Sequence, residues 1–519
     1  MPRIILSTLN ARYIHASLGL RYLQANLGEL AASSRILEFT INQQAETIAE
    51  NILAKNPAIV GFGVYIWNIE ETRRVVSLLK TIRPALTIII GGPEVSHEYA
   101  GRAITETADY LITGPADLAF ARLCRQLLNG EQPADKVIDA HPEPLPFLQL
   151  PYALYSDEDI RNRVLYVEAS RGCPFKCEFC LSALDKTATP FELDLFLAEM
   201  QALYERGARH FKFVDRTFNL KTGASLRILE FFLEKLRQDD LFLHFELIPD
   251  RLPDALKDIL PTFPPGSLQF EIGVQTFNED VQALISRRQD NQKTAENIRW
   301  IRDHTHAHIH AVNEPAVRHA DLIFGLPGES LQSFAAGFDT LWQLDPHEIQ
   351  LGILKRLPGT PISRHTAHFD MRYNPDPPYN VLSTSTIDFA TLQMFSRFAR
   401  YWDLIANSGR FGQSLALIMA SAAPFDAFYT VSESVFAQCG QTHRIALRKL
   451  FDYLYIAMTE ALAIEPTLAL AALEQDFASS GQKGRFLVPT PASCTPYDDH
   501  DSSTGKARRR QSRHLQSAG

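Results

Sequence analysis

Three of the six cysteines lie close together, in the stretch ASRGCPFKCEFCLS. Cys173, Cys177 and Cys180 have the spacing C-x3-C-x2-C, and thiolates are soft ligands that suit zinc or iron–sulfur clusters. A structural zinc site usually has four ligands in paired units, and no second pair follows here. Three thiolates can instead bind three irons of a four-iron cluster and leave the fourth iron open for a small molecule.

The stretch RGCPFKCEFC resembles the signature of radical S-adenosylmethionine (SAM) enzymes. The resemblance implies that Cys173, Cys177 and Cys180 bind a [4Fe-4S] cluster and that SAM chelates the open iron. It also implies that Phe179, the aromatic residue before the last cysteine, lies near the adenine of SAM. Enzymes of this family use one electron to cleave SAM into methionine and a 5′-deoxyadenosyl radical, which abstracts hydrogen from an unactivated C–H bond.

Three further segments resemble SAM-contacting strand ends of the same family. In VDRTFN, Asp215 stands where the family contacts the SAM amino group. In DLIFGLPGE, Ile323 is expected to pack near adenine and Gly325 to let the backbone approach. In FEIGVQT, a two-residue period puts Glu271 and Gln275 on one face of a strand. Inward polar groups are costly unless they meet a ligand or each other, so these two are candidate SAM or substrate contacts, with a satisfied structural network as the open alternative.

Apolar strand-like runs separated by helical stretches must position these motifs. Residues 161–368 contain six such units, which predicts a partial (β/α)6 barrel of TIM type with its chemistry at the carboxyl ends of the strands. The extra residues AVNEPAVRH (311–319) interrupt the beginning of the fifth strand. The candidate strands are VLYVEAS (164–170), RHFKFVD (209–215), LHFELI (243–248), SLQFEIGVQ (267–275), HADLIFG (319–325) and HEIQLGIL (347–354).

A preceding series of five strand–helix units spans residues 1–135. It predicts a parallel sheet covered on both faces, of the flavodoxin-like (Rossmann-like) kind, with its ligand over the strand ends. Such a domain ahead of a radical SAM barrel resembles the cobalamin (B12)-binding domain of B12-dependent radical SAM proteins. Glycine permits close backbone approach, so the candidate cobalamin contacts at the strand ends are Tyr65, Gly91, Gly92 and Gly114.

The cobalt-ligand motif D-x-H-x-x-G is absent after the first strand of this domain. His15 is available in NARYIHASLG, but no aspartate stands two residues before it and its spacing to Gly19 is wrong. We therefore expect cobalamin to bind without a histidine ligand from the protein. A domain that has lost cobalamin is the alternative.

The remaining segments complete the predicted organisation. Residues 136–160 include the proline-rich HPEPLPFLQLPY, which predicts an extended linker. Helical patterns predict a C-terminal helical domain over residues 369–480, and the polar, patternless residues 481–519 predict a disordered tail. The opening LNARYIHASLGLRYL resembles that of a bacterial subgroup of B12-binding radical SAM proteins with an uncharacterised C-terminal helical domain.

Composition and charge exclude several classes of function. The net charge of −9 over 519 residues argues against a nucleic-acid partner for the surface as a whole. No apolar run approaches the roughly 18–20 residues that span a bilayer, and the first residues lack a secretory signal, so a cytoplasmic protein without a membrane partner is expected. Six cysteines in a chain of this length do not make a disulfide framework.

The leading hypothesis is a radical SAM enzyme that uses a [4Fe-4S] cluster, SAM and cobalamin to methylate an unactivated carbon. The sequence does not identify its substrate. An electron donor such as a flavodoxin or ferredoxin is expected as partner. One alternative keeps the radical chemistry without methyl transfer, as in rearrangement, cyclisation or C–S bond formation. The other is a non-catalytic protein that binds an iron–sulfur cluster or zinc and acts through interaction.

Overall fold

The computed structural model of the protein describes residues 2–185, 187–311 and 322–488. An N-terminal parallel sheet with helices on both faces comes first, followed by a central β/α barrel sheet and then by a group of C-terminal helices. The predicted α/β architecture, with a flavodoxin-like domain, a partial barrel and a helical region in this order, is confirmed.

The N-terminal domain is a parallel α/β sandwich built from residues 4–139. Its elements are β1 (Ile4–Asn10), α1 (Leu18–Ala25), β2 (Ser34–Thr40), α2 (Ala45–Leu53), β3 (Ile59–Gly63), α3 (Ile69–Ile82), β4 (Thr87–Gly91), α4 (Ala103–Thr107), β5 (Tyr110–Thr113), α5 (Ala119–Leu128) and β6 (Val137–Asp139). The strand order is β2-β1-β3-β4-β5-β6. All residues of β1 are buried, because helices cover both faces of the sheet. The sixth strand was not predicted, and it pairs with β5 in parallel.

The central domain has a second parallel sheet, preceded by a short helix. Its elements are α6 (Asp157–Asn162), β7 (Leu165–Val167), β8 (Ser170–Arg171), β9 (Thr189–Pro190), α7 (Leu193–Glu205), β10 (His210–Phe213), α8 (Thr222–Leu236), β11 (Phe242–Leu247), α9 (Asp254–Ile259), β12 (Leu268–Ile272), α10 (Glu279–Leu284), α11 (Asn291–His304), β13 (His308–Ala311), β14 (Leu322–Phe324), α12 (Leu331–Gln343), β15 (Glu348–Ile349) and β16 (Leu351–Ile353). Among the described residues the order is β15-β13-β12-β11-β10-β7, and β14 pairs with β16. The phenylalanine-rich inner strands pack against the surrounding helices in one core, which continues into the C-terminal helices.

The fifth barrel strand consists of two pieces. β13, formed by HIHA, pairs with β12 and β15, and β14 follows after the insertion and pairs with β16. A bridge between Gln275 and Leu322 extends the ladder from the end of β12 to β14. The strand therefore begins earlier than the predicted 319–325. Apart from Ala311, the predicted insertion at 311–319 lies outside the described residues.

The proline-rich segment between the two domains is packed rather than extended. Leu145 and Leu148 are buried with Tyr22 and Phe191 in a small cluster at the domain junction. Tyr152 is fully buried, and its hydroxyl donates to the Glu168 carbonyl at 3.0 Å. The prolines limit backbone freedom as expected, and the apolar residues between them bind the segment to both domains.

The C-terminal region consists of a small hairpin and five helices in residues 372–479. Its elements are β17 (Arg372–Tyr373), β18 (Val381–Ser383), α13 (Phe389–Ile405), α14 (Gly412–Met419), α15 (Pro424–Cys439), α16 (Leu447–Ile456) and α17 (Pro466–Ser479). Trp402 lies on the buried stripe of α13, and its indole nitrogen donates to the Ile349 carbonyl at 2.8 Å. Asp388 caps α13, and its side chain accepts from the Thr391 amide. Phe486 is buried against Phe451 and Phe477, so packed structure reaches beyond residue 480.

In the described residues no single helix has the length and apolar composition needed to cross a membrane. The pair α14 and α15, bent by 119°, meets that criterion only when the two helices are taken together.

Candidate active site

The cysteine loop begins where the first barrel strand ends. Gly172 adopts a φ of 94°, and a Cβ at this position would lie 2.4 Å from the Thr187 carbonyl oxygen, so the close approach requires glycine. The Cys173 amide donates to the Asp185 carbonyl at 3.1 Å, and the Cys180 amide donates to the Cys177 carbonyl at 3.1 Å. The loop is thereby folded back on itself and presents its three thiols to one cavity.

Burial favours the protonated form of two of these thiols, Cys173 and Cys177, in the metal-free state. It raises the pKa of the Cys173 thiol to about 11. Burial also raises the pKa of Cys177, although the Arg287 guanidinium, 3.6 Å from its sulfur, opposes this effect. Metals bind the thiolate, so loading of a metal centre must release these protons.

The arrangement of the thiols favours a multi-iron cluster over one metal ion. In residues 2–185, 187–311 and 322–488, no group of three His, Cys, Asp or Glu side chains converges as ligands of a single ion. Each cysteine of an iron–sulfur cluster binds a different iron, so its sulfurs need only line one cavity. Cys173, Cys177 and Cys180 meet that condition and fit a [4Fe-4S] cluster.

The cavity is open and has an empty volume of about 910 Å³. It lies at the carboxyl ends of the barrel strands, where β/α barrels carry their chemistry. Three of the predicted SAM contacts line it: Phe179, Glu271 and Gln275. Gln275 has a φ of 69° and is buried, and its side-chain Oε1 has no hydrogen-bond partner in the described residues. A buried acceptor in a cavity wall fits a ligand that donates a hydrogen bond.

Glu271 belongs to a polar network inside the barrel as well as to the cavity wall. Its Oε2 lies 2.8 Å from His244 Nε2 and 3.6 Å from Lys212 Nζ. Glu271 therefore belongs to a satisfied structural network, which was the alternative left open above. His244 and Lys212 orient the carboxylate, so a ligand in the cavity would meet a carboxylate of fixed position.

The cavity also contains the inward carboxylate Glu246 and three arginines that were not assigned from the sequence. Arg216 donates to Glu246 at 2.7 Å, and burial raises the pKa of Glu246 to about 7 although Arg216 opposes it. Arg287 and Arg288 complete the wall near the cysteines. The sequence signal for Arg216 was its place directly after a barrel strand. Nothing local indicated that the segment after α10 folds back onto the cysteine loop.

The structure separates Asp215 from the wall of this cavity. Its carboxylate accepts hydrogen bonds from the Ala169 amide at 2.9 Å and from the Ser170 hydroxyl at 2.6 Å. It lines a second, smaller cavity of about 360 Å³. Burial raises its pKa to about 7, although both hydrogen bonds oppose this effect. In this conformation the carboxylate supports the start of the cysteine loop.

Ile323 and Gly325 are also not among the residues that line the large cavity. Ile323 is buried, and its amide donates to the Gln275 carbonyl at 2.9 Å. A Cβ on Gly325 would lie 2.6 Å from a methyl group of Val381, so this glycine allows the C-terminal hairpin to pack closely. Ile323 thus supports Gln275, and Gly325 lies against the C-terminal hairpin.

The candidate cobalamin contacts lie at the carboxyl edge of the N-terminal sheet. Tyr65 stacks on Trp67 with ring centroids 4.5 Å apart and planes at 7°, which gives a flat, half-buried aromatic surface. Gly92 and Gly114 have positive φ, and a Cβ on either would lie within about 2.5 Å of a backbone oxygen of the domain itself. At Gly91 the constraint is milder, because its φ is not positive and a Cβ would lie 3.2 Å from the Ile112 carbonyl oxygen. Gly92 and Gly114 are needed for the edge to fold, and the edge is free of side chains at all three glycines, which fits a flat macrocycle.

His15 points towards the barrel. Its Nδ1 lies 2.7 Å from the Tyr166 hydroxyl, and it forms a bridge with Val164 next to the first barrel strand. The expectation that cobalamin binds without a histidine ligand from the protein stays a prediction.

The N-terminal domain meets the barrel with its carboxyl edge. Arg171, two residues before Cys173, donates to Asp117 in the loop after β5 at 3.0 Å. Glu98, in the loop after β4, accepts from Arg356 at 2.8 Å. Both barrel partners follow the carboxyl ends of barrel strands. The two ligand-bearing edges therefore face each other.

Comparison with known families agrees with this division of the chain. Residues 5–124 match the B12 binding domain family, and residues 167–341 match the radical SAM superfamily. Residues 367–508 match a family described as a protein of unknown function, DUF4080.

Individual relatives are distant. PH0819, an uncharacterised methyltransferase of Pyrococcus horikoshii, is 23% identical over 60% of this chain and 70% of its own length. TokK of Streptomyces tokunonensis, a cobalamin-dependent radical SAM methyltransferase, is 23% identical over 61% of this chain. The match spans about half of TokK, 49% of its length.

A solved structure shares the fold over nearly the whole chain. The cobalamin-dependent SAM radical enzyme OxsB, with aqua-cobalamin and SAM bound, has a TM-score of 0.60 at 12% identity, covering 99% of this chain and 84% of OxsB. This likeness shows the fold. The family matches show a chain with an N-terminal B12-binding domain, a radical SAM domain and a C-terminal region of unknown function, and these domains indicate an enzyme with a [4Fe-4S] cluster, SAM and cobalamin as cofactors.

Proposed function

We propose that this enzyme methylates an unactivated carbon of its substrate. The proposal rests on how the two domains face each other. The cavity with the three thiols opens at the carboxyl ends of the barrel strands. The carboxyl edge of the cobalamin domain contacts the loops after those strands. A methyl donor held by the cobalamin domain would thus face the barrel edge that carries the thiols. The names of PH0819 and TokK support the same activity.

We assign the cofactor-binding residues as follows. Cys173, Cys177 and Cys180 bind the cluster through their thiolates, and the open iron takes SAM. Gln275 accepts a hydrogen bond from SAM, because its buried Oε1 has no partner in the described parts of the chain. Phe179 supplies an apolar wall at the loop that carries the cysteines.

The remaining assigned contacts act less directly. Glu271 is an oriented carboxylate in the cavity wall. Asp215 acts through the cysteine loop and Ile323 through Gln275, whereas Gly325 allows the C-terminal hairpin to pack on the barrel. Tyr65, Gly91, Gly92 and Gly114 would hold cobalamin.

The bound cofactors supply a carbon radical from SAM and a transferable methyl group on cobalamin. The chain contributes the enclosure and the charges. Arg216 and Glu246 form an ion pair in the wall of the cavity that the cysteines line. Arg287 places a cation near Cys177, which favours its thiolate form. A one-electron donor such as a flavodoxin or ferredoxin would reduce the cluster.

The test is anaerobic purification of the full chain, with iron, sulfide and corrinoid content measured together with the EPR spectrum after reduction. The reconstituted enzyme should cleave SAM to methionine and 5′-deoxyadenosine. The Cys173→Ala, Cys177→Ala and Cys180→Ala variants should lose the cluster, whereas Cys124→Ala, which removes a buried thiol of the N-terminal domain, should retain it. Full cluster content in the three loop variants would overturn the ligand assignment.

Methyl transfer is tested separately with SAM labelled in its methyl group. The label should move to the corrinoid and then to a product formed from cell extract metabolites. SAM cleavage with no label in the corrinoid or product would indicate radical chemistry without methylation. Bound metal without any SAM cleavage would indicate a non-catalytic protein.

A further inference from the structure

Glu178 lies inside the cysteine loop, between Cys177 and Cys180, and is almost completely buried. Its side chain is 3% exposed. A buried carboxylate is costly unless charges and hydrogen bonds compensate it. Two segments that are distant in sequence supply hydrogen bonds and positive charge to Glu178.

The first segment follows α10. The Glu178 amide donates to the Ile285 carbonyl at 3.0 Å, and the Ser286 hydroxyl donates to the Glu178 carboxylate. The next residue, Arg287, reaches the Cys177 sulfur at 3.6 Å. The carboxylate therefore fixes the segment that brings a guanidinium to a proposed cluster ligand.

The second segment follows the last barrel strand. The Ile362 amide donates to the Glu178 carbonyl at 3.0 Å. Arg364 donates to Glu178 Oε1, and His365 Nε2 lies 2.9 Å from Oε2. Ile362 is fully buried, whereas the Arg364 side chain is 60% exposed.

We propose that Glu178 is a positioning residue for the iron–sulfur cluster. Its hydrogen bonds connect the Cys177–Cys180 turn to the segments at 285–287 and 362–365. Together with Arg364 it determines the charge next to the proposed cluster. The proposal rests on the assignment of the three cysteines as cluster ligands. It gives the segment just before the C-terminal region a part in the cofactor site.

The charge of the Glu178–Arg364 pair predicts shifts of opposite sign in the cluster reduction potential. Reduction adds negative charge to the cluster, and nearby charges tune its potential. Glu178→Gln removes a negative charge and leaves Arg364, so the midpoint potential should move in the positive direction. Arg364→Gln leaves the carboxylate without its cation, so the potential should move in the negative direction.

The experiment is an anaerobic redox titration of the reconstituted full-length enzyme, followed by EPR, with iron content measured for each variant. Glu205→Gln and Arg372→Gln are matched controls, since both side chains are exposed and pair within the described residues with Gln201 and Asp370 of their own segments. Both controls should keep the wild-type potential and spectrum. The proposal would be overturned if Glu205→Gln shifted the midpoint potential as much as Glu178→Gln, or if Arg372→Gln shifted it as much as Arg364→Gln.

Each result decides the question. Opposite shifts with full iron content support the role of Glu178. Wild-type potential and spectrum in both variants, with full iron content, overturn it and leave the cysteine assignment intact. If Glu178→Gln folds but loads no iron, the midpoint potential of the Arg364→Gln cluster decides: a negative shift supports the proposal and an unchanged potential overturns it. Failure of the wild-type chain to load a four-iron cluster overturns the cysteine assignment and the role of Glu178 together.

Discussion

The Tyr379 hydroxyl donates to Glu94 Oε1 at 2.5 Å, across the boundary between the C-terminal hairpin and the cobalamin domain. Glu94 lies three residues after β4, beside Gly91 and Gly92, and its side chain is 2% exposed. Arg102 completes the site with a hydrogen bond of 2.8 Å to the same oxygen. The C-terminal region thereby fixes the loop on which cobalamin is proposed to lie.

We expect Tyr379→Phe to destabilise this loop. Removal of the hydroxyl leaves the buried Glu94 carboxylate with one partner fewer, which costs about 1–3 kcal/mol. The melting temperature should fall, and purified protein should retain less corrinoid. Tyr99→Phe, a half-buried tyrosine of the same loop, is the control and should change neither quantity. An unaltered melting temperature and corrinoid content in Tyr379→Phe would contradict this role for the hydrogen bond.

The local sequence pattern was sufficient to predict most of the parallel strands. Buried parallel strands are continuous apolar runs, so β1 to β5 and most barrel strands were predictable. The cysteine spacing indicated the site because its three ligands lie on one short loop. The packed linker was not predictable, because Tyr152 and Leu145 find their partners only in the folded chain.

The remaining site residues depend on long-range geometry. Asp215 matched a motif by position, yet its carboxylate turns to Ser170 and the Ala169 amide. Arg287 and His365 reach the cysteine loop from segments that have no distinctive pattern of their own. Strand alternation gives the face on which a side chain lies, but the rotamer and the partner depend on neighbours that the sequence does not identify.

Arg21 is expected to contribute strongly to the junction between the first two domains. It contacts Glu38 at 3.0 Å and Asp159 at 2.8 Å, and its side chain is 4% exposed. Removal of one partner from a buried ion pair costs about 3–5 kcal/mol, because the other charges stay buried. Arg21→Met should therefore lower the free energy of unfolding by that order, as measured by urea titration. Arg122→Met breaks the exposed pair with Glu143 and should cost less than about 1 kcal/mol. Similar losses in the two variants would argue against the buried network.

Asp215 should make stability fall as pH rises towards neutrality. Its pKa in the folded protein is about 7, above its ordinary value of 3.8, because burial disfavours the ionised form. The folded state then binds more protons than the unfolded state between these values, so stability is greatest at the acidic end and decreases until pH exceeds the folded pKa. Asp215→Asn can accept from the Ala169 amide through its side-chain oxygen and donate from its side-chain nitrogen to the Ser170 hydroxyl, and it should flatten this dependence. Melting temperatures between pH 5 and 8 measure it, with the exposed Asp303→Asn as control. A profile for Asp215→Asn as steep as that of the wild type would contradict the expectation.

Gly172→Ala should impair the cysteine loop through a steric clash. Its φ of 94° and the 2.4 Å separation between a Cβ and the Thr187 carbonyl leave no room for a side chain. Gly207 is a matched control, because its φ of 97° is nearly the same and nothing lies within 4 Å of a Cβ there. Gly207→Ala should cost about 1–2 kcal/mol from backbone strain alone and load iron normally. Gly172→Ala must in addition displace the strand that pairs with residues 170–171, which moves Cys173.

Iron content after anaerobic reconstitution should fall in Gly172→Ala only. Normal loading in both variants would show that the loop tolerates the displacement, and loss in both would assign the effect to strain rather than to contact with Thr187.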